Sequence, residues 1–192
     1  MDDDHGDLPI LLATDLDTYF EQLMLVFQHR LYAFALRQVG NKQDAEDIVQ
    51  ETFLRAHHAL KNYPASRIRT LQLRQWLYKI TLNVFFNFTR RSGPQLVSLD
   101  LSEDSSLLEM EDQSAGPDME VYWREWRREL ETHISILPRR YRVTVDLHYF
   151  EDLSYSEIAE LLNQPPGTVK ANVSRGVQLL RRALETQMNE TR

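Results

Sequence analysis

Apolar residues recur at three- and four-residue intervals along most of the chain, which is the spacing of one face of an α-helix. This pattern predicts a first long helix from about Asp15 to Val39, with Gly40 as its C-cap. A second helix is predicted from Asn41 to Leu60 and a third from Gln72 to Arg91. Strand-like alternation is too short to matter, so residues 15–92 are expected to form a three-helix bundle.

The helical pattern returns in the last third of the chain. One helix is predicted for residues 117–137 and another from Arg139 to Phe150, with Pro138 at its start. Two more helices, separated by a turn, are predicted within residues 154–182. Residues 119–188 are therefore expected to form a second, four-helix domain, and the fold class is all-α.

The turn between the last two helices has clear local signals. Ser154 and Glu157 have the spacing of a capping box. In this motif the side chain of each residue accepts a hydrogen bond from the backbone N–H of the other. Residues 163–167, NQPPG, should stop the helix because prolines lack an N–H and Gly167 tolerates positive φ. Thr168 can then cap the following helix.

The last helix has an apolar face and a basic face. Its apolar positions are Val169, Val173, Val177 and Leu180, and the remaining faces carry Lys170, Asn172, Arg175, Gln178 and Arg182. A basic helix after a tight turn is typical of the helix-turn-helix, whose second helix enters the major groove of DNA. The alternative is an ordinary antiparallel helix pair with a solvated basic face.

Charge is strongly segregated along the 192 residues, whose net charge is −7. Residues 1–21 hold seven acids and residues 97–121 hold eight, and neither segment contains Lys or Arg. The rest of the chain has 22 basic and 14 acidic residues, a net of +8. We interpret residues 1–14 as an acidic tail and residues 93–118 as a flexible acidic linker, either merely solvated or with an electrostatic role.

Two segments of the first domain carry distinctive side chains. On the second helix, Asp47, Gln50, Glu51 and Leu54 form a partly polar stripe that could dock a basic partner helix or could simply be solvated. The third helix interleaves aromatic and basic residues, as stacking on single-stranded bases requires. Since most aromatics at helical spacing are core, Trp76, Phe85 and Phe86 are expected to be buried. Asn83, Arg90 and Arg91 would remain available to nucleic acid.

Signals for catalysis and for cofactors are weak. The chain has no cysteine, and it lacks the usual zinc, nucleophile and phosphate-loop motifs. His57 and His58 are adjacent and diverge on a helix, so they are expected at the surface rather than as ligands of one metal. We expect no metal, no cofactor and no enzymatic activity. An enzyme is therefore less favoured than a DNA-binding protein. No apolar run reaches about 18 residues, so no membrane insertion is expected.

Three segments in this order resemble the extracytoplasmic-function (group IV) sigma factors of bacterial RNA polymerase. They are DAEDIVQETFLRAHHAL from residue 44, WLYKITLNVFFNFTRR from residue 76 and LPRRYRVTVDLHYFEDLSYSEIAELLNQPPGTVKANVSRGVQLLRRAL from residue 137. The resemblance implies that residues 15–92 are region 2, which binds the clamp helices of the polymerase β′ subunit and melts the −10 promoter element. It implies that residues 119–188 are region 4, which reads the −35 element and rests on the β flap.

The same resemblance implies roles for individual residues. Those matching the clamp-binding segment are Asp47, Gln50, Glu51 and Phe53, the last as support from the core. Those implied at the −10 element are Tyr63, Asn83, Arg90 and Arg91, with the base pocket hard to place in a long loop from Tyr63 to Trp76. Those implied at the −35 element are Thr168, Lys170, Asn172, Ser174 and Arg175. Asn172 stands where the family often has arginine, and an amide suits adenine better than guanine.

The interpretation that follows is an alternative sigma factor, cytoplasmic and monomeric when free, that initiates transcription of a specific regulon. Its expected partners are core RNA polymerase, promoter DNA and an anti-sigma factor. The rival interpretation is a stand-alone helix-turn-helix regulator, which would leave residues 44–56 and the aromatic-basic helix unexplained.

Overall fold

The structure of the chain is a computed structural model, which describes the backbone of residues 7–91 and 133–190 and the side chains of residues 7–90 and 133–186. Every regular element in those ranges is helical, as the all-α prediction requires. The chain separates into two compact units, one of which contains the helices up to Arg91. The other contains the helix that begins at Arg139 and the one that ends at Glu190. The expected acidic linker lies outside the described residues.

Five helices form the first unit. They are α1 (Leu8–Thr14), α2 (Leu16–Val39), α3 (Lys42–Asn62), α4 (Ala65–Arg69) and α5 (Leu73–Arg91). Helix α2 packs against α3, α3 packs against α5, and α1 packs against both α2 and α4. The three predicted helices are therefore present, and the two short helices complete the unit.

Local chemistry fixes the ends of α2 and α3. The carboxylate of Asp15 accepts a hydrogen bond from the N–H of Thr18 at 3.1 Å, which caps the start of α2. Gly40 ends α2 with φ of 72°, a left-handed conformation that costs glycine little. The side chain of Asn41 then accepts the N–H of Gln43 at 2.9 Å and starts α3. The hairpin between the two helices is thus specified by the two residues between them, Gly40 and Asn41.

The core of the first unit is drawn mainly from the three long helices. Fully buried side chains include Leu23, Leu31, Phe34, Ile48, Leu60, Leu77, Tyr78, Leu82 and Phe85. Phe34 and Tyr78 meet edge to face with ring centroids 5.5 Å apart, an arrangement that aromatic pairs prefer. This packing sets α5 against α2 and leaves a different face of α5 for solvent.

Two sequence-based expectations for the first unit are wrong. The acidic tail was expected to extend to residue 14, but α1 begins at Leu8 and buries Leu8 and Leu12. The expected long loop from Tyr63 to Trp76 contains α4 and the first turn of α5, and Ile68 of α4 is buried. Both helices are too short for a hydrophobic period to reveal them, and packing stabilises them, since they contact each other and α1 also contacts α2.

The second unit contains a 3₁₀ turn at Ile134–Ile136, α6 (Arg139–Tyr149) and α8 (Pro166–Glu190), and α7 (Tyr155–Leu162) begins within it. Helix α6 starts directly after Pro138, as expected, and ends one residue before Phe150. Most of the helix predicted for residues 117–137 lies outside the described residues, and its last residues form the 3₁₀ turn. Helices α6 and α8 pack closely, and a Cβ built on Gly176 would lie 2.5 Å from Cγ2 of Val145.

Candidate nucleic-acid interface

The helix-turn-helix of the second unit begins with the predicted capping box. The N–H of Ser154 donates to Glu157 Oε2 at 2.7 Å, and the N–H of Glu157 donates to Ser154 Oγ at 3.3 Å. These reciprocal bonds start α7 at Tyr155. The prediction of a helix start at this point is confirmed.

The turn that follows differs from the prediction in two residues. Asn163, not Gly167, adopts the positive φ of 53°, and Asn tolerates that conformation better than most residues. Helix α8 already begins at Pro166, so Thr168 lies in its first turn and does not cap it. The sequence signal was misread because Pro at the first helical position starts a helix as readily as it ends one.

Helix α8 presents its polar residues as predicted. Its buried positions are Val169, Val173, Val177 and Leu180. Thr168, Lys170 and Arg175 are exposed, while Asn172 and Ser174 are partly buried beside them. Because the four apolar side chains fix the rotation of α8, its basic face is held towards solvent. All five residues predicted for the −35 element therefore lie on the first three turns of one helix.

Helix α3 carries the polar stripe, defined by Asp47, Gln50, Glu51 and Leu54. Asp47 and Gln50 are exposed, and Leu54 is 67% exposed, which is unusual for a large apolar side chain. The carboxylate of Glu51 accepts a hydrogen bond from Arg55 Nε at 2.6 Å. Arg55 was not among the predicted site residues, although its i, i+4 spacing from Glu51 is a readable signal.

Phe53 does not belong to the exposed stripe. It is 5% exposed, and its ring meets the edge of Phe20 with centroids 6.4 Å apart. The expectation that Phe53 supports α3 from the core agrees with this burial. Phe20 also contacts the ring of His57, whose Nε2 lies 3.6 Å from Asp17 Oδ1. His57 thus helps to join α2 and α3, while His58 is exposed.

Aromatic side chains gather where α3, α4 and α5 meet. Tyr63 ends α3 by donating its N–H to Leu60 O, and its ring lies 6.2 Å from that of Trp76 on α5, centroid to centroid. We call Tyr63 and Trp76 the ring pair. The guanidinium carbon of Arg67 lies 3.7 Å from the centroid of the Tyr63 ring. Sequence reasoning missed Arg67 because it treated α4 as a weakly patterned loop.

One face of α5 extends from the ring pair towards the end of the helix. Asn83 and Arg90 follow Trp76 at seven-residue intervals, so all three point in nearly the same direction. Asn83 and Arg90 are exposed, and so is Asn87, which lies on the same face. The side chain of Arg91 lies outside the described ones. Phe85 is buried as expected, whereas Trp76 and Phe86 are only partly buried, which corrects their predicted place in the core.

Two further observations concern the described residues only. Within residues 7–91 and 133–190, no helix is both long enough and apolar enough to cross a membrane. In the same part of the chain, no three His, Asp or Glu side chains come together as ligands for a metal ion.

Two family models match the chain in the order of its two units. Residues 23–94 match the model of sigma-70 region 2, and residues 127–180 match that of sigma-70 region 4. An all-helical chain in which region 2 precedes region 4 has the organisation of a sigma factor. The helix-turn-helix lies in the second match, and the polar stripe and ring pair lie in the first.

Curated relatives narrow this class. The ECF RNA polymerase sigma factor SigW of Bacillus subtilis is 31% identical over 169 residues, which cover 86% of this chain and 88% of SigW. SigE of Mycolicibacterium smegmatis is 36% identical over 171 residues, covering 87% of this chain but 63% of SigE. This chain therefore belongs to the ECF sigma factors of RNA polymerase.

A solved structure has the same fold. The sigma factor RpoE from Bartonella quintana, solved in complex with the anti-sigma factor NepR, aligns with a TM-score of 0.61 and 24% identity. The alignment covers 86% of this chain and 96% of RpoE. The two family matches and the curated relatives make the chain an alternative sigma factor that initiates transcription. They do not support a stand-alone regulator, which would lack region 2.

Proposed function

We propose that this sigma factor divides promoter recognition between its two units. In this assignment α3 binds core RNA polymerase, the ring pair and α5 open the −10 element, and α8 reads the −35 element. The observation that carries the proposal is the alignment of Trp76, Asn83 and Arg90 on one face of α5, with Tyr63 at its start. The proposed boundaries are residues 15–92 for polymerase binding and the −10 element, and residues 119–188 for the −35 element.

The polymerase contact is assigned to Asp47, Gln50 and Glu51, with Phe53 holding α3 in place from the core. An exposed leucine within an acidic and amide stripe is the composition expected for docking onto a basic, partly apolar helix pair. The β′ clamp helices are the proposed partner. Leu54 would supply the buried contact, while the carboxylates would orient the encounter.

The −10 contact is assigned to Tyr63, Asn83, Arg90 and Arg91. A base taken out of its stack needs an aromatic face and hydrogen bonds to its exposed edge. The ring of Tyr63 supplies the face, and the exposed amide of Asn83 can both donate and accept. Arg90 continues the same face with a positive charge, which suits the phosphates of the displaced strand.

The −35 contact is assigned to Thr168, Lys170, Asn172, Ser174 and Arg175. Lys170 and Arg175 are exposed on α8 and can reach phosphates or guanine edges in the major groove. Asn172 offers an amide that pairs with adenine through two hydrogen bonds. Thr168 lies in the first turn of α8, where its hydroxyl and the helix N-terminus favour a phosphate.

The remaining partners are proposed from the family and its neighbours. RpoE was solved with an anti-sigma factor, and we infer that an anti-sigma factor also holds this chain inactive. We place the protein in the cytoplasm as a monomer, released to bind core polymerase and its β flap. It performs no covalent chemistry itself, since RNA synthesis belongs to the polymerase.

The test is reconstitution with core RNA polymerase. The chain should copurify with core enzyme, and the holoenzyme should produce run-off transcripts from a limited set of genomic fragments. Replacing Lys170 and Arg175 by alanine should abolish most of this transcription, whereas Glu185→Ala, at an exposed position of α8 with no assigned contact, should leave it unchanged. Failure of the wild-type chain to bind core enzyme would refute the proposed division of roles.

A further inference from the structure

The aromatic face proposed to receive a base is covered in the free protein. The guanidinium carbon of Arg67 lies 3.7 Å from the centroid of the Tyr63 ring, which is direct stacking over the ring. Stacked carbon atoms have their optimal separation at about 3.5–4.0 Å. A base stacked on this side of Tyr63 would therefore need the volume that the guanidinium occupies.

The group that covers the ring is itself exposed to solvent. Arg67 is exposed, whereas Trp76, the other neighbour of the ring, is partly buried and inclined by 57° at a centroid distance of 6.2 Å. Trp76 therefore supports Tyr63 from within the unit. A base arriving from outside meets the guanidinium before it meets the ring.

We propose that Arg67 is a lid on the base pocket of Tyr63. The lid rests on the role proposed for Tyr63 above. In the free protein the guanidinium shields the ring from solvent, and the captured base displaces it. The freed charge then lies beside the strand and can contact a phosphate. Arg67 thus makes base capture a replacement of one stacked group by another.

The lid moves by side-chain rotation, because the backbone beneath it is held. Ile68, the next residue, is 5% exposed, and α4 packs against α1. The N–H of Arg67 donates to Pro64 O at 2.9 Å. The side chain of Arg67 is exposed while Ile68 anchors the helix, so it can leave the ring without unfolding α4.

Magnitudes decide which group occupies the ring. An exposed cation–π contact changes an equilibrium by about two- to fivefold, whereas a stacked base changes it by about five- to 150-fold. The base therefore wins, but a base that stacks poorly gains little over the lid. Because any base must displace the guanidinium, Arg67 lowers the affinity of the pocket for every base by the same factor of about two to five.

The experiment uses full-length protein bound to core RNA polymerase and a single-stranded 12-mer. The oligonucleotide carries the non-template −10 sequence of a promoter that the holoenzyme transcribes, with 2-aminopurine placed at each position in turn. Arg67→Lys keeps the charge but removes the planar group that stacks on the ring. It should raise affinity about two- to fivefold and leave the salt dependence unchanged. Arg67→Ala should lower the slope of log affinity against log salt by about 0.7.

Matched controls separate the lid from its charge and from the pocket itself. Arg69→Lys changes an exposed arginine on the same helix and should alter neither quantity. In a Tyr63→Ala background, Arg67→Lys should have no effect. The lid is overturned if Arg67→Lys leaves affinity unchanged or lowers it while Tyr63→Ala weakens binding. If Tyr63→Ala has no effect, the proposed pocket fails as well.

Discussion

Replacing Gly176 by alanine tests how closely α6 and α8 pack in the second unit. A Cβ built on Gly176 would lie 2.5 Å from Val145 Cγ2 and 3.3 Å from Tyr141 Cβ. Non-bonded carbons prefer about 3.5–4.0 Å, so the two helices must move apart or Val145 must change rotamer. Val145 is β-branched and fully buried, which leaves it little freedom to do so.

The expected cost follows from two opposing effects. Overpacking a core typically costs about 1–3 kcal/mol, and we expect the upper part of that range because two buried atoms are crowded. Alanine regains about 1 kcal/mol over glycine within a helix. The net loss in the free energy of unfolding should therefore be about 2 kcal/mol.

Urea unfolding of the full chain, followed by circular dichroism, measures this loss. Gly167→Ala is the matched control, since a Cβ there has no atom within 4 Å and lies in the first turn of α8. It should stabilise the protein by about 0.4–1 kcal/mol. Adding Val145→Ala to Gly176→Ala should relieve the crowding, with a coupling energy of about 0.5–3 kcal/mol.

Two results would refute this reasoning. If Gly176→Ala is as stable as Gly167→Ala, the helices do not approach as closely as the structure places them. If the effects of Gly176→Ala and Val145→Ala simply add, Val145 is not the group that excludes a side chain at position 176.

Three further predictions concern the first unit. Gln50→Ala with Glu51→Ala should weaken binding to core polymerase by about 2–5 kcal/mol if the contact is buried, without changing helical content. The control pair is the exposed Glu21 and Gln22 of α2. Unchanged affinity in a titration would contradict the assignment of the clamp contact. Tyr63→Ala should reduce permanganate reactivity of promoter thymines about five- to 150-fold more than Tyr63→Phe, since stacking a base contributes about 1–3 kcal/mol. Asn83→Ala should also reduce it, because the amide that bonds to the edge of the base is lost; normal melting by both alanine variants would contradict the pocket. Hydrogen bonds from the hydroxyl and N–H of Thr18 lower the pKa of Asp15. The ionised Asp15 cap therefore stabilises the fold at neutral pH, and this stabilisation is lost as the pH falls through the lowered pKa. Asp15→Asn should therefore flatten the acid limb of the stability curve, and an unchanged limb in urea titrations below pH 5 would argue against the cap.

Local sequence signals predicted the helices that are long or strongly capped. Three such signals act within one or two helical turns. They are the capping box of Ser154 and Glu157, the left-handed Gly40 and the four-residue spacing of apolar residues in α8. Such interactions depend on neighbours along the chain, and a reader of the sequence can see them. The same locality explains why the polar faces of α3 and α8 can be predicted from the sequence.

Tertiary packing decided what local signals could not. Helices α1 and α4 have 7 and 5 residues, too few to be stable alone, and they pack against each other, with α1 also against α2. The contact of Arg67 with Tyr63 depends on the formation of α4, so the hydrophobic period of the sequence does not predict it. In the helix-turn-helix, either Asn163 or Gly167 could be the left-handed residue, depending on where α8 begins. The proline pair is compatible with both positions for that start.

The sequence by itself therefore determined the class of the protein, its all-helical fold and the helix faces that carry its polar residues. It did so because capping, turn chemistry and hydrophobic period are local, and because the two sigma-70 regions follow in a fixed order. Only the tertiary structure decided which aromatic rings stay partly exposed, where Gly176 must remain glycine and which cation covers the ring of Tyr63. Those features arise between residues that are distant in sequence or that meet only after short helices have packed, and no local pattern encodes such distances.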